Sequence, residues 1–183
     1  MDFTEVIAAR KSVRNYSNKP VDNEIIMKCL DAARAAPSWA NKQCWHFIVV
    51  MDRDKIEKLS STINFWLKDV PAVVVACGDP SKSGFKNDQH YYLVDVAIAF
   101  EHFVLAAPNE GLGTCWMGGF DEKVVKDLLG IPGEIKVVAL TPIGYPSGED
   151  GLFSKTIKTI VGSKKRKPIG EIVHSEKWGS GRT

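Results

Sequence analysis

The sequence predicts one domain of α+β or mixed α/β class, built around a single central sheet. Short apolar runs rich in β-branched residues predict three buried strands, WHFIVV (45–50), AVVVAC (72–77) and KVVAL (136–140). Helical patterns alternate unevenly with these runs along the chain. With 183 residues, 44% of them hydrophobic, the chain is long enough to bury a core of its own.

Apolar residues at helical spacing predict the helices. Acidic residues that cap a first turn mark three of the starts, at Asp2, Asp22 and Asp121, and Gly130 marks one end. The expected helical ranges are 2–12, 22–37, 54–64, 92–107 and 121–130. The range 92–107 is apolar on more than one face, which predicts burial in the core or between subunits. Residues 79–90 and 141–151 are expected to be a polar loop and a turn-rich segment.

Charge and composition narrow the classes of partner. The formal net charge of +2 is too small to indicate a polyanionic partner. The stretch 93–107 has 15 residues and carries Asp95, Glu101 and His102, so it is expected to be too short and too charged to span a membrane. The start of the chain has no signal-peptide pattern, and the four cysteines lack CxxC spacing. We therefore expect a cytoplasmic protein with free thiols, no metal site, and no nucleic-acid or membrane partner.

Residues 151–183 show little core pattern of their own. They are expected to be either a disordered tail or an arm that lies on a partner subunit. Apolar residues favour the arm, because disordered tails contain few of them. These residues are Ile157, Ile160, Val161, Ile169, Ile172, Val173 and Trp178. We expect residues 1–150 to form the core and 151–183 to form this arm of the same domain.

Two basic motifs have alternative interpretations. RKSVR (10–14) offers forked guanidinium donors, an ammonium and a hydroxyl that suit a phosphate, and it could equally be a solvated basic turn at a helix end. KKRKP (164–168) resembles a nuclear-import signal or a nucleic-acid patch, and could also be half of a pocket for one phosphate.

Two further segments carry candidate binding groups. APSWANKQCWHF (36–47) contains amide side chains that match a planar heterocycle with alternating donors and acceptors, or it is an ordinary connection. GLGTCWMGGF (111–120) permits close backbone approach, or it is a tight turn with Trp116 in the core. It is not a GxGxxG motif, so a Rossmann pocket is unsupported. With no metal-ligand spacing among the histidines, no GxSxG motif and no base beside Cys115, an enzyme of this sequence would depend on a borrowed cofactor.

Taken together and in order, these motifs resemble the FMN-dependent nitroreductase family, in its compact members. The matching pieces, which span nearly the whole chain, are RKSVRNYSNKPV, AARAAPSWANKQCWHFIVV, VDVAIAFEHFVLAA with EGLGTCWMGGF, and RKPIGEIVH. The resemblance implies an α+β fold with a central, mainly antiparallel sheet flanked by helices. It also implies a homodimer with two FMN sites at its interface and a C-terminal arm that crosses to the partner.

The resemblance also implies roles for individual residues in binding FMN. Residues at the phosphate and ribityl end are Arg10, Lys11 and Ser12, completed by Lys164 and Arg166. Arg14 would lie near the pyrimidine edge, where a cation stabilises negative charge on the reduced ring. Residues lining the ring from the other subunit are Pro37, Ser38, Asn41 and Gln43. Residues beside N5 are Trp116, Met117, Gly118 and Gly119, with the backbone N–H of Gly118 donating to N5.

The function implied is a ping-pong NAD(P)H oxidoreductase: hydride passes to flavin N5, and then to a nitroaromatic or quinone acceptor. No side chain is assigned as an obligate acid or base. Trp39, which is bulky beside the ring, and the short 79–90 loop leave the substrate open, as does the choice between NADH and NADPH. One alternative is the same scaffold with another reaction, namely reductive dehalogenation, substrate oxidation or flavin breakdown. The other is a nucleic-acid-binding protein that uses RKSVR and KKRKP, which the near-neutral charge disfavours.

Overall fold

A computed structural model describes residues 1–60, 65–148 and 166–179. The chain divides into two compact units, Met1–Glu149 and Asp150–Thr183. Helices of the first unit are α1 (Phe3–Ala9), α2 (Asn23–Arg34), α3 (Arg53–Leu59), α4 (Tyr91–Ala106) and α5 (Glu122–Leu129). Its strands are β1 (Trp45–Val50), β2 (Ala72–Gly78), β3 (Phe85–Lys86), β4 (Gln89–His90), β5 (Gly113–Thr114) and β6 (Lys136–Gly144).

The central sheet has the strand order β1-β2-β6-β5, and every neighbouring pair is antiparallel. This confirms the predicted α+β class with one mainly antiparallel sheet. The three predicted strands occupy three of its four positions. Strand β2 is buried along its whole length because helices cover both of its faces, which is why it reads as a continuous apolar run.

Strand β6 is longer than predicted, because the TPIG sequence expected to be turn-rich continues the strand to Gly144. Pro142 is tolerated in this inner strand although it cannot donate to the ladder. On the neighbouring segment, the N–H of Cys115 lies opposite Pro142 and donates to the hydroxyl of Thr141 at 2.9 Å. The pairing resumes at Met117 and Leu140, which exchange two backbone hydrogen bonds of 2.9 and 3.0 Å.

Helices on the two faces of the sheet enclose two hydrophobic clusters. One cluster joins α2 and α4 to the sheet and includes Ile26, Val74, Phe100 and Phe103. The other joins α3 and α5 to the opposite face and includes Ile56, Val75 and Val125. A register shift in the pairing of β2 with β6 leaves Val138 without a partner, so Val137 faces the second cluster and Ala139 the first.

Side-chain caps set the helix starts, as the acidic residues predict. Asp2 and Glu5 form a reciprocal capping box at α1. Asp22 accepts from the N–H of Glu24 at the start of α2, and Asp121 caps α5. Helix α1 ends at Ala9, three residues before the predicted end. Helix α3 ends at Leu59, and Ile63, predicted as part of it, lies outside the described residues.

Two further expectations about strands and loops are wrong. Residues 79–90, predicted as a polar loop, contain the β3–β4 hairpin, in which Phe85 pairs with His90. Asn87 and Asp88 both have positive φ at its tip, the conformation that a two-residue hairpin turn requires. Strand β1 was predicted as buried, but only its ends are. It lies at the edge of the sheet, where helices cover it less completely.

Helix α4 runs into a short 3-10 turn, and together they form a helical stretch of 20 residues, Tyr91–Glu110. By length and composition alone this stretch could cross a membrane. The buried core helix of a globular domain meets the same two criteria. The length of the helix therefore does not exclude a membrane span, contrary to the expectation from residues 93–107. In this fold Phe100 and Phe103 of α4 are both 0% exposed and pack in the first cluster.

The described part of the second unit, 166–179, contains a 3-10 turn at Ile169–Glu171. The rings of His174 and Trp178 lie 4.5 Å apart. The apolar residues predicted to lie on a partner are exposed where they are described, namely Ile169, Ile172, Val173 and Trp178. Ile157, Ile160 and Val161 lie outside the described residues.

The substitution Phe100→Ala is expected to lower the free energy of unfolding by about 3–5 kcal/mol, because it leaves a cavity between α4 and the sheet. Urea unfolding followed by circular dichroism measures the change. Val124→Ala, at a side chain 48% exposed, is the control and should change stability by no more than about 0.5 kcal/mol. Equal losses in the two variants would contradict the central position of Phe100.

Candidate flavin site

The RKSVR segment lies along β5. The N–H of Val13 donates to the carbonyl of Thr114 at 2.8 Å, and Ser12 forms a parallel bridge with the same residue. A Cβ at Gly113 would lie 2.6 Å from a methyl of Val13, so glycine is needed for the two backbones to approach. The structure thus brings together the first basic motif and the glycine-rich motif.

A cavity of about 240 Å³ opens where these two segments meet. Arg10 and Lys11 line one side and the backbone of 111–114 lines another. Within the described part of the chain, neither of these two cations forms an ion pair with a carboxylate. Positive charge that no carboxylate of the described residues offsets is the arrangement that binds an anionic group such as a phosphate.

Cys115 follows Thr114 of the cavity wall, and its buried thiol stays protonated. Burial raises the pKa of its thiol, while the Arg14 guanidinium and a hydrogen bond with Ser12 act in the opposite direction. Burial also raises the pKa of Tyr16 well above its ordinary value, and its hydroxyl donates to the Val13 carbonyl at 2.7 Å. The thiol at 115 is therefore unreactive in this arrangement, since thiols react as thiolates.

The other three cysteines are buried in the core and behave alike. Burial raises the pKa of each thiol to about 11, and at Cys44 the carboxylate of Asp95 adds to the effect. All four cysteines are free. Among the described residues, no group of three or more His, Cys, Asp or Glu side chains could hold a metal ion.

The glycine-rich segment presents both a side chain and open backbone. Trp116 is 38% exposed, so the interpretation that placed it in the core is wrong. Its indole N–H donates to Glu101 of α4 at 3.0 Å, and its ring meets Phe100 edge-on at 4.8 Å. Met117 is buried in the second cluster, whereas Gly118 and Gly119 are exposed, with nothing within 4 Å of an added Cβ.

The loop at 37–43 holds an unusual backbone conformation. Ala40, Asn41 and Gln43 have φ values of 48°, 55° and 49°. These values lie in the left-handed region, which residues other than glycine rarely occupy. Such residues cost on the order of 1–3 kcal/mol each and persist only where surrounding contacts impose them. The N–H of Gln43 donates to the Ser38 hydroxyl at 2.9 Å. The side chains of Asn41 and Gln43 are exposed and joined at 3.2 Å.

Asp95 of α4 is the main tertiary anchor of this loop. Although 3% exposed, its carboxylate accepts from the N–H of Trp39 at 2.8 Å and from the hydroxyl of Ser83 at 2.7 Å. The thiol of Cys44 donates to it at 3.5 Å. Sequence reasoning used Asp95 only as a charge against a membrane span. A carboxylate inside an apolar helical stretch was the available signal, because buried charges require partners.

The indole of Trp39 is half-buried. It packs over Gly84 and lies 4.5 Å from the ring of Tyr91. The indole therefore joins the 37–43 loop to the segment that leads into the β3–β4 hairpin. Pro37 is exposed at the start of the same loop. Of the second basic motif, Arg166 is exposed in the second unit, and Lys164 lies outside the described residues.

The nitroreductase family model matches residues 7–63 and 60–145, which together cover more than half of the chain. The chain belongs to the nitroreductase family. The resemblance read from the motifs is therefore confirmed, and the chain is an oxidoreductase of the nitroreductase type.

Two curated relatives cover most of the chain. A proposed NADH dehydrogenase/NAD(P)H nitroreductase of Archaeoglobus fulgidus is 35% identical over 180 residues, which are 95% of this chain and 97% of the relative. Iodotyrosine deiodinase 1 of Pongo abelii is 30% identical over 204 aligned positions, with 94% of this chain and 68% of the relative covered.

Solved nitroreductase structures share the fold. A nitroreductase family protein of Clostridium difficile 630 aligns with a TM-score of 0.82 and 30% identity, over 97% of this chain and 99% of that one. An FMN-dependent nitroreductase of Clostridium difficile R20291 aligns with a TM-score of 0.76 and 26% identity, over 96% of this chain and all of that one (100%).

The substitution Gly84→Ala is expected to lower the free energy of unfolding by about 1–3 kcal/mol, because the new Cβ would overlap the indole of Trp39. Thermal unfolding followed by circular dichroism measures the loss. Gly133→Ala is the matched control, since its Cβ would enter open space at ordinary φ, and it should be neutral or slightly stabilising. If the two variants were equally stable, the contact between Trp39 and Gly84 would not constrain the loop.

Proposed function

We propose that this member of the nitroreductase family is an FMN-dependent NAD(P)H oxidoreductase that acts as a homodimer on nitroaromatic or quinone-type acceptors. The observation that carries the proposal is the cavity lined by Arg10, Lys11 and the backbone of 111–114. It presents two cations without carboxylate partners in the described part of the chain. The FMN-dependent relative from Clostridium difficile R20291 supports the choice of cofactor.

The residues of the cavity fit the phosphate end of FMN. Arg10 and Lys11 would neutralise a dianionic group, and Ser12 would add a hydroxyl at the ribityl end. Lys164 and Arg166 of the arm would complete the phosphate site. Their basic run stands in a chain of nearly balanced charge, which favours a local anion over an extended nucleic acid.

The exposed amide side chains of the 37–43 loop fit the ring. Asn41 and Gln43 can donate to and accept from the edge of a flavin, with Pro37 and Ser38 beside them. We propose that they do so in the partner's site. From the glycine-rich segment, Trp116 and the backbone of 117–119 would border the same ring, with the N–H of Gly118 at N5. The exposed backbone at Gly118 and Gly119 supports this role.

Arg14 would act electrostatically on the pyrimidine edge. A fixed cation in a poorly solvated site stabilises negative charge without reorganisation of water. Arg14 is partly buried and close enough to Cys115 to oppose the rise that burial causes in the pKa of that thiol. When bound, FMN would supply two-electron chemistry between NAD(P)H and the acceptor, so no side chain needs to act as an acid or base.

The proposed dimer has independent support from exposed apolar residues. In the second unit, Trp178 is 92% exposed, and Ile169, Ile172 and Val173 are exposed near it. Several exposed large apolar residues within one short segment are typical of an interaction surface. We propose that this arm, 151–183, lies on the partner subunit, and that the dimer works in the cytoplasm.

Reductive dehalogenation is the second candidate, favoured by the similarity to an iodotyrosine deiodinase. Rates with nitrofurazone, a quinone and a halophenol would separate the two. Faster turnover of the halophenol would replace the first candidate by the second.

The purified chain is expected to be yellow, with the absorption bands of bound FMN, and to bleach when NADH or NADPH is added without oxygen. Absorbance spectra and rates of bleaching with each donor measure this. A chain that arrives without flavin and shows no flavin spectrum after addition of FMN would overturn the proposal.

The substitutions Arg10→Ala and Arg166→Ala are each expected to raise the Kd for FMN by about 10–100-fold, the loss of one charge-assisted hydrogen bond to phosphate. Quenching of flavin fluorescence on titration of the apoprotein measures Kd. Arg34→Ala removes an exposed arginine paired with Asp31 and should leave Kd unchanged, as should Lys165→Ala. Unchanged affinity in Arg166→Ala would make KKRKP a plain basic tail.

A further inference from the structure

The flavin loop, defined as residues 37–43, carries a conformational conflict. In the structure, the arrangement that exposes its amides places Ala40, Asn41 and Gln43 in the left-handed region. Within the loop, the restraints are short-range: the Ser38 hydroxyl accepts from the N–H of Gln43, and the Gln43 amide donates to the Asn41 side chain at 3.2 Å. Short-range contacts of exposed groups compete with water, so they hold a strained loop poorly.

Asp95 supplies a restraint from outside the loop, which the short-range contacts within the loop do not provide. Its carboxylate is buried and belongs to a long core helix. It accepts from the N–H of Trp39 inside the flavin loop and from the thiol of Cys44, the residue that directly follows the loop. The third donor, the hydroxyl of Ser83, comes from the segment before the β3–β4 hairpin. Hydrogen bonds to a buried charge are stronger than those between neutral groups. Asp95 therefore restrains the loop from a rigid element that the ligand itself would not touch.

We propose that Asp95 is a positioning residue for flavin binding: it holds the flavin loop in its strained conformation before the ring arrives. The inference rests on the proposed function, since the loop matters only if it contacts flavin. It assigns to Asp95 no contact with the cofactor and no role in proton transfer. Its effect should appear in affinity for FMN and in local order of the loop, because preorganisation reduces the ordering that binding requires.

The first test compares Asp95→Asn with the wild-type chain. An amide at this position has one acceptor oxygen and carries donors of its own, so it cannot accept from Trp39, Cys44 and Ser83 together. Fluorescence titration of the apoprotein should show a Kd for FMN raised about tenfold. The matched control is Glu122→Gln, which alters a carboxylate that also accepts from a backbone N–H, that of Val137 at 3.1 Å, on the other face of the sheet. Its Kd should be unchanged.

The second test separates positioning from general stability. Glycine adopts positive φ at no steric cost, so Ala40→Gly should restore part of the FMN affinity of Asp95→Asn and have little effect in the wild-type chain. Lys42→Gly is the control in the same loop, because Lys42 has φ of −78° and glycine relieves nothing there. It should restore nothing.

The third measurement needs no flavin. Hydrogen exchange of the amides of Trp39 and Gln43 in the apoprotein should be faster in Asp95→Asn than in the wild-type chain, whereas amides of β2 should be unaffected. Wild-type affinity in Asp95→Asn would overturn the positioning role, as would equal weakening in Glu122→Gln or equal recovery by glycine at 40 and 42. A wild-type chain that binds no FMN would instead overturn the proposed function. Hydrogen exchange would then still test whether Asp95 restrains the loop. Equal exchange rates in Asp95→Asn and the wild-type chain would show that it does not.

Discussion

The packing of α4 on the central sheet is the interaction on which the other features depend. Phe100 and Phe103 bury this helix against a strand that is itself covered on both faces. Because the helix is fixed, the polar groups that it carries are fixed with it. Asp95 then anchors the loop at 37–43, and Glu101 anchors the indole of Trp116. One apolar contact thus sets the positions of two segments that are far apart in the chain.

The candidate site combines rigid support with groups that would be unfavourable elsewhere. Arg10 and Lys11 line a cavity and form no ion pair with a carboxylate of the described residues. Three residues adopt left-handed backbone conformations, and a carboxylate is buried in the core helix. Each of these costs free energy in an empty site. Such locally unfavourable features are typical of functional sites rather than of ordinary surface.

Reading the sequence was most successful where burial and local capping decide the structure. The strand at 72–77 and the capped starts of α1, α2 and α5 were predicted because their signals lie within a few residues. It failed where pairing with a distant segment overrides local preference. TPIG reads as a turn, yet it extends β6 because β2 lies beside it. The β3–β4 hairpin was missed because residues 79–90 are mostly polar and show no apolar alternation.

By itself, the sequence determined the fold class, the family and the residue types available for a phosphate and a planar ring. Composition, periodicity and the order of motifs carry this information, and none of them depends on how distant segments pack. Only the tertiary structure decided that RKSVR lies along β5, that Trp116 is exposed, and that Asp95 restrains the loop at 37–43. Trp39 and Asp95 are separated by 56 positions in the chain. Contacts over such distances arise from the packing of whole elements, and no local pattern specifies which donors will meet a buried carboxylate.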